Sequence, residues 1–403
     1  MNKKKNIFYV LYHFPKLSET FILSELIYLK QKDEFDIHIL AFNQQDMDFD
    51  FLYKKDFLNK TIYMISWGKK VSNFLLIVKI FLYYLIKKPV RLLSSFQFLP
   101  YKRKYYSLFI TALYFSYKIE KYKNIHLHSP FSSFQLIVTQ IMAYLLNCSY
   151  SFTDQAADFL KYNPFIFKAV YNAKFIISST SYNKNLLVKY SKIANRNKIK
   201  VIYCAVNPEK FKRTSKYSLL PLKILTVARL IPEKGLIYLL MALKKLKKKI
   251  DFQCDIIGDG ILLENLKNYV LKNKLNKNIN FHGKIENDRL IEHYNKASLF
   301  ILPSIKLKSN RSDSQPVVLK EAMSMEIPVI STSIAGIPEL IKDKKNGFLV
   351  PQKNPLSIYN LIIDIINGNY DLDKIRKNAR QTIIRDFNLE KEFHKLDNLL
   401  KRL

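Results

Sequence analysis

The chain has 403 residues, 48% of them hydrophobic, too long for one ordinary core and suited to two domains of roughly 200 residues each. Its 66 Lys and Arg against 33 Asp and Glu leave a formal net charge of +33, so its surface attracts polyanions, and membrane phospholipid and nucleic acid are both candidate partners. No Gly/Ser-rich or Gln/Asn-rich tract suggests a disordered arm, and Cys148, Cys204 and Cys254, without a CxxC pair or matching His spacing, argue against a zinc site and fit a reducing cytoplasm.

Residues 6–12 (NIFYVLY) follow a basic start but are too short for a secretory core and lack a small-residue cleavage site after them. Residues 7–11 are predicted as a buried strand instead. A helix over 19–30, a strand over 36–41, a strand over 125–127 and a helix over 134–146 follow, with further strands at 150–153, 175–178 and 199–202. Between them, residues 69–118 hold ten Lys or Arg and no acid. Inside that stretch residues 74–86 (FLLIVKIFLYYLI) form an apolar run too short to span a bilayer, and are expected as a helix lying on a membrane surface.

Residues 207–221 turn polar and Pro-flanked, the pattern of a linker. A second alternating series then begins: strands at 222–227, 252–257, 280–282, 299–302 and 328–331, helices near 236–247, 262–271 and 317–325, and an amphipathic helix over 389–403. Such alternation implies parallel sheets with crossover helices, and ligands held beyond the carboxyl ends of the strands. The expected division is 1–206, a linker at 207–221, 222–385, and a C-terminal helix at 386–403 that packs back on the first domain.

Two constellations carry chemistry. In Val227-Ala228-Arg229-Leu230-Ile231-Pro232-Glu233-Lys234-Gly235, two cations lie five positions apart in a loop between a strand and a helix. There they can aim at one anion, with a diphosphate as the obvious guest. In Asp313-Ser314-Gln315-Pro316-Val317-Val318-Leu319-Lys320-Glu321, two carboxylates lie eight apart, placed to accept hydrogen bonds from vicinal hydroxyls such as those of sugars and riboses. Gly258-Asp259-Gly260 lacks the third glycine of a dinucleotide fingerprint and reads as a strand-to-helix turn.

Together with Phe281-His282-Gly283, Pro303-Ser304, Gly336-Ile337-Pro338-Glu339 and Asn346-Gly347-Phe348-Leu349-Val350, these segments resemble the donor domain of glycosyltransferase family 4. Phe14-Pro15-Lys16-Leu17-Ser18-Glu19-Thr20-Phe21-Ile22 and His126-Leu127-His128 are similar to the subgroup that builds colanic acid and related exopolysaccharides. The resemblance implies a GT-B fold of class α/β, with two facing Rossmann-like, doubly wound domains and an interdomain cleft. It implies a retaining, metal-independent hexosyltransferase in which Arg229 and Lys234 hold the donor diphosphate, Asp313 and residues Ser314, Gln315, Pro316 and Val317 meet the sugar and diphosphate, and Glu321 binds the ribose. Gly283, Lys284 and Ile285 would border the base, and Ser18, Glu19, Thr20, His128, Gln155 and Asp158 the acceptor or sugar side. The implied partners are a nucleoside-diphosphate sugar, a lipid-linked oligosaccharide and the anionic inner face of the cytoplasmic membrane, with no cofactor, no metal and no nucleic acid.

Three positions depart from the family pattern. Asp313 stands where Glu is usual, Ser314 where Gly is usual, and Gln155 where relatives carry His near the transferred sugar, so titration there is lost. Gln155 and Ser314 together motivate an alternative, a relative that binds nucleotide sugar or a partner without transfer. An epimerase on the same fold lacks a clear acid/base pair, and a nucleic-acid protein lacks zinc-finger, RNP-like or basic-zipper patterns. Ser18 and Thr20 are also expected to cap the helix that follows them.

Overall fold

The computed structural model describes residues 4–16, 19–44, 53–65, 71–99, 105–155, 164–193, 195–309 and 311–403. It divides into two compact units: the described residues of Met1–Ser179 with Asn183–Ile202 and Phe393–Leu403, and a second unit of Thr180–Tyr182 with Tyr203–Glu392.

The first unit is built on seven parallel strands: β1 (Lys5–Phe14), β2 (Phe35–Gln44), β3 (Thr61–Tyr63), β4 (Ile125–Ser129), β5 (Ser149–Asp154), β6 (Phe175–Ser178) and β7 (Ile199–Val201), ordered β3-β2-β1-β4-β5-β6-β7. The second has six: β8 (Leu222–Val227), β9 (Phe252–Ile257), β10 (Ile279–Gly283), β11 (Leu299–Leu302), β12 (Val329–Thr332) and β13 (Phe348–Val350), ordered β10-β9-β8-β11-β12-β13. Both sheets are doubly wound, with the strand order reversing between β1 and β4 and between β8 and β11. Runs such as Phe175–Ser178 and Leu299–Leu302 are buried at every position, as expected where helices cover both faces of a parallel sheet.

Residues 207–221 are no free linker, because Phe211 is buried in the second unit's core and the Arg213 guanidinium donates to the Asn295 carbonyl at 2.6 Å. One aromatic and one multidentate cation anchor a segment whose polar composition read as loop. The helix Thr20–Lys32 has Glu19 at its N-cap with no side-chain capping bond, and Ser18 and the side chain of Thr20, the residues expected to cap it, lie outside the described residues. The apolar run of residues 74–86 lies in a longer helix, Val71–Lys87, that is apolar on two faces. Ile77, Ile80 and Tyr84 are buried, whereas Val71, Phe74, Leu75, Val78, Leu82, Leu85 and Ile86 are exposed.

The inner face of that helix and the helix Tyr106–Ile119 border an apolar cavity of about 330 Å³ lined by Ile77, Phe81, Leu82, Phe96, Phe109 and Leu113, among others. No helix of the described residues is long and apolar enough to cross a membrane. The C-terminal helix Leu389–Lys401 contributes Leu396 and Leu400 to the core of the first unit beside Leu26 and Leu29. Burying each such leucine stabilises by about 2 kcal/mol.

Candidate functional site

In the second unit, β8 and β11 flank the point where the strand order reverses, the place at which doubly wound sheets take ligands. The chain leaves β8 through Ala228 and an exposed Arg229, makes a short 3-10 turn over Pro232–Lys234, and enters the helix Leu236–Leu246 at Gly235. Gly235 has φ +65, and a Cβ there would lie 2.1 Å from the Pro303 carbonyl oxygen. Only glycine permits that approach of the turn to the end of β11. Gly258 plays the same part behind it: its φ is +131, its Cβ would meet the Ala228 carbonyl oxygen at 1.9 Å, and its amide donates to the Gly283 carbonyl at 2.7 Å. The three loops after β8, β9 and β10 are thereby tied together.

Lys234 Nζ donates to the Asp313 carboxylate, so two residues 79 positions apart, expected to serve one ligand, are in contact. Among the described residues Arg229 forms no ion pair, though its charge helps hold the Glu233 carboxylate below its ordinary value. Its neighbour Glu233 is nearly buried and receives Arg311 Nη2 at 2.8 and 2.9 Å. Burial works against the Glu233 carboxylate, but a backbone hydrogen bond and the Arg311 guanidinium outweigh it and hold the carboxyl below its ordinary value.

After Asp313, the Ser314 carbonyl accepts the Gly336 amide at 2.8 Å, and Gln315 Nε2 donates to the Gly336 carbonyl at 3.0 Å. Gln315 Oε1 is buried with no partner among the described residues, an acceptor kept available where unmade hydrogen bonds are costly. Pro316 then starts the helix Val317–Ser324. On it, Glu321 receives the Tyr294 hydroxyl at 2.7 Å, and burial raises its pKa. Gly283 turns at φ +67 with open space on its Cβ side, Lys284 is exposed beside Asp259, and Ile285 packs against the core. Thus Lys234 and Asp313 meet directly, and Ser314 and Gln315 share Gly336. Glu321 is held separately by Tyr294.

In the first unit His128, expected on the acceptor or sugar side, is a buried residue of the sheet. It is 1% exposed, its Nδ1 bonds Ser151 at 2.8 Å, its Nε2 lies 3.2 Å from the Thr153 hydroxyl, and burial pushes its pKa down to about 3. His126, with both ring nitrogens on Ser149 and Ser151, is likewise a neutral sheet residue. Alternating His on β4 and Ser on β5 simply pair across the parallel ladder. Glu19 forms an ion pair with Lys16. The Gln155 carbonyl accepts from Asn183 Nδ2 at 3.3 Å. Ser18 and Asp158 lie outside the described residues, and only the backbone of Thr20 is described.

Several residues had no role assigned from the sequence, although Lys320 and Glu339 stand inside segments that resemble the family. Glu25 is held by the Tyr9 hydroxyl at 2.6 Å and pushed up to about 7 by burial. Lys320 is wholly buried and donates to the Cys204 carbonyl at 2.5 Å. Glu339 accepts the amides of Ser181 and Tyr182 at 2.9 and 2.5 Å within the second unit. Their partners are distant in the chain, so periodicity could not find them.

Residues 209–382 match the family model of glycosyl transferases group 1. Over 211 residues the chain is 31% identical to WcaL of Escherichia coli (strain K12), a glycosyltransferase named for colanic acid biosynthesis, covering 52% of each protein. Over 217 residues it is 32% identical to the Escherichia coli UDP-Gal:alpha-D-GlcNAc-diphosphoundecaprenol alpha-1,3-galactosyltransferase, covering 50% of this chain and 54% of that one. The chain spans about half the length of these curated relatives. The crystal structure of a glycosyltransferase from Rickettsia africae ESF-5 shares its fold, with a TM-score of 0.70 at 21% identity over 99% of this chain and 98% of the other. The fold is of the GT-B class.

Proposed function

We propose that this chain, whose residues 209–382 match the family model of glycosyl transferases group 1, moves a hexose-type sugar from a nucleoside-diphosphate donor onto a lipid-linked saccharide in bacterial surface polysaccharide synthesis. The observation that carries this reading is the loop cluster at the β8–β11 reversal, where an exposed Arg229, the Lys234–Asp313 pair and the unpartnered Gln315 Oε1 flank the Gly235 turn. Arg229 and Lys234 bind the diphosphate and offset the charge that develops on the departing nucleotide, the service a divalent ion performs elsewhere. Asp313 and Gln315 meet sugar hydroxyls, and Glu321, oriented by Tyr294, accepts from the ribose.

Transfer proceeds with retention. The acceptor oxygen bonds to the sugar's anomeric carbon on the face from which the diphosphate leaves, and the departing phosphate oxygen takes the acceptor proton. No protein base is required. An acceptor anchored in lipid calls for a membrane-facing first unit, and its exposed Phe74, Leu75, Leu82, Ile86, Val90 and Leu93, beside Lys79 and Lys87, support peripheral attachment to the inner face of the cytoplasmic membrane.

The test is a nucleotide-sugar panel against purified protein and detergent-solubilised lipid-linked acceptors without added metal, following released nucleotide and product mass. Acceptor-dependent release is expected, and it should fall by orders of magnitude in Lys234→Ala and Glu321→Ala with folding intact. Unchanged transfer in both variants would refute the site. Donor binding without release would favour the second reading, a non-catalytic relative, for which Gln155 in place of the family's His and Ser314 in place of its Gly are the motive.

A further inference from the structure

Asp255, His282 and His293 come from three rigid elements of the second unit and converge at the edge of its sheet. Asp255 lies on β9 opposite Asn280 of the edge strand β10, so residues 280 and 282 share its face. The register shifts between Phe281 and Gly283, an irregularity of the kind that re-aims a side chain. His282 Nε2 is 2.8 Å from Asp255 Oδ1. His293 stands in the last turn of the helix Asn287–Lys296 and points its Nδ1 at Asp255 Oδ2 from 3.7 Å. The two rings meet edge to face with centroids 5.0 Å apart, and all three ligand atoms lie within 4.8 Å of one another.

A hydrogen bond accounts for His282 alone. The separation of His293 from the carboxylate is too long for one, yet it falls within the span of two metal–ligand bonds of about 2.0–2.2 Å each. Asn280 Nδ2 donates to Asp255 Oδ1 at 3.1 Å, fixing the carboxylate as an outer hydrogen bond does in metal sites. The side chains keep 36%, 32% and 22% exposure, which leaves room for water on the remaining positions. Two imidazole nitrogens and one carboxylate oxygen suit a borderline divalent ion of the zinc, cobalt or nickel kind over magnesium or calcium.

We propose that Asp255, His282 and His293 form a binding site for one divalent transition-metal ion of the zinc class. The ion takes no step in sugar transfer. Its ligands bracket residues 283–286, with His282 immediately before them and His293 on the helix after them, so binding staples that loop to β9. The sequence concealed the site because its three ligands are spread over 39 positions, from 255 to 293, in no finger-type spacing.

The test uses the full chain without an affinity tag, freed of metal by chelation, titrated with Co²⁺ by visible absorption and with Zn²⁺ by calorimetry. One ion per chain is expected, with the ligand-field bands of a nitrogen–oxygen site and no response to Mg²⁺. His282→Ala and His293→Ala should each weaken binding at least about tenfold, as should Asp255→Asn. Hydrogen exchange over residues 283–286 should slow on Zn²⁺ addition in the wild type and not in the double His variant. Metal-free melting curves matching the wild type would establish that the variants fold, and if one alanine variant does not, Asp255→Asn decides. Failure to bind one ion, or binding that survives in the double variant and so belongs to the cysteines, would overturn the proposal. None of these readouts depends on transferase activity.

Discussion

Replacing Lys320 with Met should make the stability of the second unit lose a pH dependence that the wild type has. Lys320 is 0% exposed, its ammonium is 5.3 Å from the Phe387 ring centroid, and it donates to the Cys204 carbonyl. Burial lowers its pKa from 10.5 to about 8. The unfolded chain therefore holds this proton up to about pH 10.5, whereas the folded one releases it near 8. Between those values the unfolded state binds more protons, so stability rises with pH. The gap is worth about 3 kcal/mol, at about 1.4 kcal/mol per pH unit where the slope is steepest.

Met keeps the stem and removes the charge, leaving the Cys204 carbonyl short of one donor at a cost of about 1–3 kcal/mol. Near neutral pH the two effects nearly offset each other, and the variant should be within about 2 kcal/mol of wild type. Towards pH 10 the wild type should gain on the variant by most of that 3 kcal/mol. Urea titrations read by hydrogen exchange in the peptide covering Val317–Ser324 isolate this unit from the other. Parallel pH profiles for the two proteins would refute the buried, depressed lysine.

Gly235→Ala places a methyl at φ +65 against the Pro303 carbonyl; the backbone penalty alone is about 1–2 kcal/mol, so nucleotide binding and the urea midpoint should both fall, and calorimetry showing wild-type affinity would contradict the tight turn. Glu25, raised by burial to about 7 from 4.5, contributes stability that is complete below about pH 4.5 and lost as pH rises through about 7. Glu25→Gln should flatten the denaturation midpoint across that window. Gln155→His should raise turnover at least about tenfold with little change in donor affinity, by adding a charged hydrogen-bond donor beside the transferred sugar and not by acting as a base, and steady-state kinetics showing no gain would remove Gln155 from the sugar's surroundings.

Much of the fold was legible in the chain. Residues 222–227 and 252–257 coincide with β8 and β9, and the helix near 236–247 runs from Leu236 to Leu246. A parallel strand buried on both faces must be a short apolar run, and a crossover helix must repeat its apolar positions every three to four residues. The helices Tyr106–Ile119 and Pro355–Ile366 escaped prediction, the former having nine residues buried. A helix buried nearly all round carries no polar stripe to give its period away.

The site divided along the same line. Arg229, Lys234 and Gly235 are neighbours in the chain, and a strand–loop–helix transition limits how such residues can be arranged, so local order was enough to expect an anion-binding turn there. Whether Lys234 reaches Asp313, whether His128 faces a ligand or the Ser151 and Thr153 hydroxyls, and whether Lys320 meets water or the Cys204 carbonyl depend on which strands lie side by side. The same holds for Asp255, His282 and His293, brought together by the register of β9 with β10 and the packing of one helix turn. Linear order carries composition, periodicity and the chemistry of adjacent residues. Burial, and with it the protonation state and availability of each polar group, is a property of neighbours distant in the chain, and it comes into being only when the sheets close on their helices.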